Sequence, residues 1–375
     1  MKILHTVPSF GAGTGGVATC VFNLVRGLNE IGVATDIATF ETSRPIDGGA
    51  PFVHYLKKDV VEPLGRSRNF AQYIAQTDYD VYHANGLWRY VSHLTCRHAR
   101  KQGKACVVTP HGMLYPADLI KNYWKKRLAL ALLFGPDIKH ASCIHVTCTQ
   151  ELEYVRELGF KTPALVIPNA IDFDPEILNI KKSSHPFRIG CLGRIHPRKN
   201  FDRVVKAWAA LGDKVKDGEL VIIGSGLPEH EKPLRDLVES LHLKNVRFLG
   251  FLQGMDKFRA LADLSALFVP SVWENFGMII PEALSVRTPV MASTGTPWES
   301  LNTARCGWWG DNSVEALKKL IADIHDMSSD ELSAMGERGL QLVLKHCATP
   351  AVAQMMAASY AYLAGNGPKP PCWVD

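Results

Sequence analysis

Lys2-Ile3-Leu4-His5-Thr6-Val7-Pro8-Ser9-Phe10-Gly11-Ala12-Gly13-Thr14-Gly15-Gly16 reads as a short apolar strand running into a glycine loop. Val17, Val21, Leu24, Val25, Leu28 and Ile31 then recur at helical spacing and stop at Gly32, a residue suited to closing a helix. A strand, a glycine loop and a helix in that order begin a parallel α/β sheet. Further strands follow at Thr35–Phe40, Val81–His83, Ala105–Thr109, Cys143–Thr147 and Ala164–Ile167, with helical patterns between most of them.

Lys181-Lys182-Ser183-Ser184-His185-Pro186 is polar, contains a proline and separates two rhythmic regions, which places an interdomain linker there. A second series begins beyond it. Phe187–Leu192, Glu219–Ile223, Val246–Leu249, Ala266–Pro270 and Pro289–Ala292 read as strands, and Arg203–Leu211, Glu231–Leu241, Met255–Leu264 and Val314–His325 as helices. From Ser328 to about Ala364 the pattern is helical, broken near Ala348-Thr349-Pro350. The expected division is 1–180, 187–347 and a tail, 348–375, that folds back over the first domain.

A chain of 375 residues exceeds the roughly 250–300 that one hydrophobic core supports, so two domains are expected. Apolar residues make up 46%, and the formal net charge of +5 is too small for the basic stripe of a nucleic-acid binder. Anionic ligands and anionic membrane surfaces stay open. The nine cysteines are odd in number and mostly sit in apolar runs, so reduced, buried thiols are expected. Cys143 and Cys148 flank His145 at a spacing that matches no established zinc pattern. No apolar stretch of signal-peptide or membrane-spanning length is present, so a cytoplasmic protein is expected.

Two Rossmann-like domains facing one another would bind ligand in a cleft at the carboxyl ends of their strands. Three segments just after strands carry suitable residues. Gly11 to Gly16 formally matches the dinucleotide glycine pattern, and Glu41 could serve as its ribose acid; Pro8-Ser9-Phe10 makes the loop longer than that pattern's tight turn. A phosphate-facing loop and a merely flexible one both remain open. In Gly193-Arg194-Ile195-His196-Pro197-Arg198-Lys199-Asn200, Arg194 and Lys199 can converge on a diphosphate, or simply be solvated. In Trp273-Glu274-Asn275-Phe276-Gly277-Met278-Ile279-Ile280-Pro281-Glu282, Pro281 suits the first position of a helix, which puts Glu274 in the loop and Glu282 at the helix start. Two carboxylates on one strand–loop–helix connection suit two polyols such as a hexose and a ribose, although Glu282 could equally complement the helix dipole.

These segments together resemble the retaining GT-B glycosyltransferases of glycosyltransferase family 4. The likeness extends through Gly15-Gly16, Asp80 to Trp88, Thr109-Pro110-His111-Gly112-Met113-Leu114, Pro168-Asn169-Ala170-Ile171-Asp172, Arg194 with Lys199, Gly224-Ser225-Gly226, and Glu274 eight residues before Glu282. It implies a GT-B fold with C-terminal helices crossing back to the first domain, a UDP-sugar donor, and a saccharide or lipid-linked saccharide acceptor. It also implies that His111, Arg194, Lys199 and Glu274 carry the reaction. By position, Gly15, Gly16, Arg194, Lys199 and Gly224 would serve the diphosphate and Glu282 the ribose. Phe251 and Leu252 would flank the base, Glu274 and the amides of Asn275, Phe276 and Gly277 would hold the transferred sugar, and Met278 and Ile279 would also contact the donor. Asn85, Trp88 and Met113 fall on the acceptor side. Ala170 stands where the family often has glycine, and Asn85 where histidine is frequent.

Breaking a sugar–phosphate bond requires stabilising a departing nucleoside diphosphate, with Mg²⁺ or with fixed cations. Asp78-Tyr79-Asp80 and Asp172-Phe173-Asp174 spell the Asp-x-Asp of metal-dependent transferases. Both fit strand or turn roles, and Arg194 with Lys199 can replace a metal, so no cofactor is expected. Lys121-Asn122-Tyr123-Trp124-Lys125-Lys126-Arg127, followed by the apolar Leu128–Phe134, could rest on anionic lipid or be a packed helix with a solvated basic end. An epimerase of the same architecture, an inert sugar-nucleotide sensor and a dinucleotide oxidoreductase are the competing readings.

Overall fold

The computed structural model describes residues 1–11, 16–61, 65–182 and 186–375. The chain divides into two compact units, Met1–Asp172 with Cys347–Asp375, and Phe173–His346. The first boundary therefore falls ahead of the linker read at Lys181–Pro186, of which Ser183–His185 lie outside the described residues. The shift has a local cause. Asp174 caps the short helix Pro175–Leu178, and Arg287 Nη1 donates to the Leu178 carbonyl at 2.8 Å, which ties this segment to the second unit.

In the first unit, β1 (Lys2–Thr6), β2 (Ala34–Phe40), β3 (Val53–Leu56), β4 (Val81–Asn85), β5 (Ala105–Thr109), β6 (Cys143–Val146) and β7 (Ala164–Val166) form a parallel sheet in the order β7-β6-β5-β4-β1-β2-β3. Trp373–Val374 joins its outer edge antiparallel to β7. Helices join most of these strands, as parallel pairing requires. The tail helix Thr349–Leu363 lies on the first helix, Gly16–Glu30; there a Cβ on Gly27 would sit 2.6 Å from Thr349 Cγ2, so only glycine allows this approach. Val352, Ala353, Met356 and Tyr360 bury against Ile3, Leu24, Leu28 and Val81.

The second unit holds β8 (Arg188–Leu192), β9 (Glu219–Ile223), β10 (Val246–Gly250), β11 (Ala266–Val269), β12 (Val290–Ser293) and β13 (Gly307–Gly310), all parallel, in the order β10-β9-β8-β11-β12-β13. Helices Phe201–Ala209, Pro228–Ser240, Gly254–Ala262 and Val314–Asp326 cover it. Its core gathers Ile189, Val204, Trp208, Leu220, Phe268 and Ile321. Both units are Rossmann-like, with helices joining parallel strands in an α/β fold.

β3 and β13 escaped the sequence reading for physical reasons. β3 is half-buried at every position, so it shows neither alternation nor a fully apolar run. Gly307-Trp308-Trp309-Gly310 has glycine at both ends, and the Trp309 backbone is held from outside the sheet by the Asn302 side chain, with Trp309 N–H donating to Asn302 Oδ1 at 2.8 Å.

Candidate active site

Three strand ends of the second unit are stitched together beyond the sheet. Gly193 N–H donates to the Ile223 carbonyl at 2.9 Å, Ile195 N–H to Ser225 at 3.0 Å, and Gly224 N–H to Gly250 at 2.7 Å. Gly224 must be glycine: its φ is 133°, and a Cβ there would lie 1.9 Å from the Gly193 carbonyl oxygen. The result is a cavity of about 510 Å³ lined by Gly193, Arg194, Gly224, Phe251, Leu252 and Glu282, with Ser225, Lys257 and Ile279 on its wall. Arg194 is exposed and makes no hydrogen bond or ion pair among the described residues. Its guanidinium is an uncommitted anion-binding group.

Glu274 and Glu282 are each engaged by a lysine. Lys199, at the end of the 3-10 turn Pro197–Lys199, pairs with Glu274 Oε1, and Ser271 Oγ donates to the same oxygen at 2.6 Å. Glu274 Oε2 has no such partner among the described residues and remains available to a ligand hydroxyl. Lys257 Nζ lies 2.8 Å from Glu282 Oε1. The backbone fixes these positions: Val272 N–H donates to Arg198 at 2.8 Å, Glu274 N–H to Gly295 at 2.9 Å, and Asn200 Nδ2 to Pro270 at 2.9 Å. Trp298 Nε1 donates to the Phe276 carbonyl and anchors the loop Asn275–Gly277.

The helix carrying Glu282 spans Ile279–Ser285, with Met278 as its cap, so it begins before Pro281 rather than at it. Ile280 N–H bonds back to Gly277 at 2.8 Å and starts the turn early. Proline is tolerated in the first turn because its missing N–H would have had no helical acceptor.

In the first unit, Gly15 lies outside the described residues and Gly16 opens the helix Gly16–Glu30. His111 follows β5 in the left-handed region, at φ 51°, a conformation that costs a non-glycine residue about 1 kcal/mol and often marks a functional loop. Its Nε2 lies 3.2 Å from Asn85 Oδ1. Met113 Sδ accepts from Leu87 N–H, and Trp88 stacks edge-on against Phe134 with Lys126 Nζ 5.3 Å from its ring centroid. Asn85 thus ends β4, and Trp88, His111 and Met113 occupy the adjoining loops after β4 and β5.

The Asp-x-Asp carboxylates are engaged elsewhere. Asp80 Oδ2 accepts from Lys2 N–H at 2.7 Å, Asp78 pairs with Lys104 at 2.9 Å, Asp172 with Arg26 at 2.6 Å, and Asp174 caps a helix. The nine cysteines form no disulfide among the described residues, and all but Cys372 are buried. Cys148 caps the helix Thr149–Glu157. Among the described residues no cluster of His, Cys, Asp and Glu is arranged to hold a metal ion.

The basic segment forms the helix Tyr123–Ala129 and runs on into the wider helical turn Leu130–Phe134, with Trp124 80%, Leu128 61% and Leu132 67% exposed. Lys126 is not a free surface cation, since it pairs with Asp118 at 2.5 Å. Beside it lies a cavity of about 810 Å³ lined by Leu119, Ile120, Tyr123, Arg127, Leu130 and Tyr154, among others. No helix among the described residues is long and apolar enough to cross a membrane.

The fold has close counterparts among solved structures. Anabaena HepE in complex with UDP superposes with a TM-score of 0.76 at 18% identity, covering 96% of this chain and all of that one (100%). A glycosyltransferase from Rickettsia africae gives 0.76 at 16% identity, covering 98% and 99%. Residues 15–170 match the glycosyl transferase 4-like domain, and residues 173–341 match the glycosyl transferases group 1 model. The chain belongs to the GT-B glycosyltransferases of the family 4 type.

Among relatives of this glycosyltransferase, a GDP-mannose-dependent monoacylated α-(1-6)-phosphatidylinositol monomannoside mannosyltransferase of Corynebacterium glutamicum is 30% identical over 159 residues, 40% of this chain and 41% of that protein. A GDP-mannose-dependent α-(1-6)-phosphatidylinositol dimannoside mannosyltransferase of Mycobacterium tuberculosis is 31% identical over 134 residues, 35% and 34% of the two chains. The putative glycosyltransferase EpsD of Bacillus subtilis is 25% identical over 248 residues, 60% and 61%. The match thus spans between a third and three fifths of these relatives' lengths.

Two residues, one beside each unit's candidate residues, were not read from sequence. Lys257 sits one turn into the helix that follows Phe251-Leu252, and only the folded chain sets it against Glu282. Glu151 is buried on the helix Thr149–Glu157, where its Oε1 accepts from Gly112 N–H at 2.5 Å and Oε2 from Thr147 N–H at 2.9 Å. It holds the loop that presents His111. A carboxylate on the apolar side of an amphipathic helix was the available signal.

Proposed function

We propose that this protein transfers a hexosyl group from a nucleotide sugar, a UDP-sugar in our reading, to a saccharide or lipid-linked saccharide acceptor, with retention at the anomeric carbon and without a metal. The observation that carries the proposal is the cavity at the ends of β8, β9 and β10, where the uncommitted Arg194 meets glycine backbone and Glu282. A diphosphate suits that guanidinium and the close-approach glycines, and the ribose hydroxyls suit Glu282. Exposed Phe251, at the rim, gives the base an apolar face.

Glu274 acts as a clamp on the sugar through its open oxygen, while Lys199 holds it in place by ion pairing and offers its remaining ammonium protons to phosphate. As the bond from anomeric carbon to phosphate breaks, charge grows on the diphosphate beside Arg194 and Lys199, whose positive charges offset it. The acceptor hydroxyl attacks from the same face and passes its proton to a phosphate oxygen. Engagement of the four Asp-x-Asp carboxylates in structural bonds supports a metal-free mechanism. His111, Asn85, Trp88 and Met113 are assigned to the reacting sugar and acceptor. The exposed Trp124, Leu128 and Leu132 beside Lys121, Lys125 and Arg127 support peripheral contact with an anionic membrane surface.

The experiment is product formation from UDP-sugars and, in parallel, GDP-mannose, with a saccharide acceptor panel in EDTA and in Mg²⁺. Transfer from a UDP-sugar that persists in EDTA is expected. Transfer only with GDP-mannose would overturn the base, and transfer only with metal would overturn the role given to Arg194 and Lys199.

A further inference from the structure

A run of buried polar side chains crosses the first unit and ends at His111. His145, on β6, has Nε2 2.9 Å from the Ile167 carbonyl and Nδ1 2.9 Å from Thr109 Oγ1. Thr109 Oγ1 lies 2.5 Å from His83 Nε2, and His83 Nδ1 lies 2.6 Å from Tyr360 Oη. Tyr360 Oη is 2.9 Å from His5 Nε2, and His5 Nδ1 is 3.2 Å from Asn85 Nδ2. Asn85 Oδ1 then meets His111 Nε2 at 3.2 Å. His5, His83, Thr109 and Tyr360 are fully buried, and Asn85 and His145 nearly so.

One end of this chain can only accept, and that fixes every proton along it. The Ile167 carbonyl has no proton, so His145 Nε2 carries one. Burial drives the imidazoles to their neutral forms, taking His5 and His111 down to about 3 and His145 to about 4, and holding His83 well below its ordinary value. A neutral His145 then has a bare Nδ1, which must accept from the Thr109 hydroxyl. The Thr109 oxygen, its one proton spent, must accept from His83 Nε2–H. His83 Nδ1 is therefore bare and accepts from the Tyr360 hydroxyl, whose oxygen accepts from His5 Nε2–H. His5 Nδ1 accepts from the Asn85 amide nitrogen, whose contacts with the Thr6 and His83 carbonyls, both 3.4 Å, are too long to fix its orientation without His5. Asn85 Oδ1 is left to accept from His111 Nε2–H.

We infer that this relay locks His111 in the Nε2–H tautomer with a bare Nδ1, and that Tyr360, on the tail helix, is the positioning residue that sets its polarity. The inference rests on reading His111 as a site residue. Its consequence is a specificity rule: whatever meets His111 Nδ1 must donate a hydrogen bond, as a sugar hydroxyl does and a phosphate or carboxylate oxygen does not. It also gives the tail helix a task beyond packing, since its hydroxyl joins His5 on β1 to His83 on β4.

The test uses the full chain labelled with ¹⁵N-histidine, with long-range ¹H–¹⁵N correlation spectra recorded without substrate. His111 is expected to show a pyridine-type Nδ1 and a pyrrole-type Nε2. Tyr360→Phe removes both the donor to His83 and the acceptor of His5, so mixed tautomers at His5 and His111 are expected, with kcat lowered about tenfold and KM for the donor within about twofold. Thr109→Val should act from the other end of the relay, and Thr109→Ser, which keeps the hydroxyl, should restore the wild-type spectrum and rate. A His111 Nδ1–H tautomer in the wild type, or an unchanged His111 tautomer in both Tyr360→Phe and Thr109→Val, overturns the inference. The inferred tautomer combined with full turnover in His111→Ala instead removes His111 from the site and leaves the relay standing.

Discussion

Glu151 is the hidden support of the His111 loop, and its removal has a calculable effect. The side chain is 1% exposed, and its oxygens accept from Gly112 N–H, Thr147 N–H and, at 3.1 Å, the Thr147 hydroxyl. Burial pushes its carboxyl up while these three bonds pull it down, with burial the stronger effect. Glu151→Ala relieves the cost of the enclosed carboxylate but strands two backbone donors away from water. Each stranded donor costs about 1–3 kcal/mol, so the expected loss is about 4 kcal/mol. For a unit of this size 1 kcal/mol moves the melting temperature by about 2–4 °C, which gives a fall of about 8–16 °C by scanning calorimetry. Glu153→Ala, exposed on the same helix, should change stability by less than about 0.5 kcal/mol. A fall under about 3 °C for Glu151→Ala would refute the view that this carboxylate carries the loop.

Acid should destabilise the first unit well before its carboxylates titrate. His5 and His111 are lowered to about 3 and His145 to about 4, so between an unfolded value near 6.5 and these folded values the unfolded chain binds more protons. Stability is then full above pH 6.5 and falls as pH drops below it, by roughly 2 kcal/mol per imidazole at pH 5; a melting temperature flat from pH 7 to 5 would contradict their buried, neutral state. Liposomes test the exposed face of Tyr123–Ala129. Pelleting with anionic vesicles at low salt is expected, weakened by salt and by Trp124→Ala, and no pelleting at low salt removes the membrane contact.

Much of this architecture is legible in the residues because local periodicity and burial agree. Val204, Val205 and Trp208 declare a helix face, and Glu219–Ile223 is a strand at the same bounds in sequence and structure. The candidate site loops could be placed because glycine and charge gather just after strands. The relations between side chains are what the sequence withholds. That Lys199 spends its charge on Glu274, 75 residues away, leaving Arg194 as the uncommitted cation, depends on the Val272 to Arg198 backbone bond. Tyr360 and His5 stand 355 residues apart and meet only because Gly27 lets the tail helix close on the first helix. The two-domain boundary was displaced for the same reason: Arg287 reaches back to Leu178, a long-range bond with no local signature.

The claim on which the rest depends is that the cavity around Gly193, Gly224 and Glu282 holds a nucleotide sugar's diphosphate and ribose. Isothermal titration of UDP into the wild type, Arg194→Ala and Glu282→Ala measures this directly, without an acceptor. One site per chain is expected, weakened about tenfold or more by either substitution, since each removes a charge-assisted contact of about 1.5–3 kcal/mol. Binding of equal strength in all three proteins would contradict it.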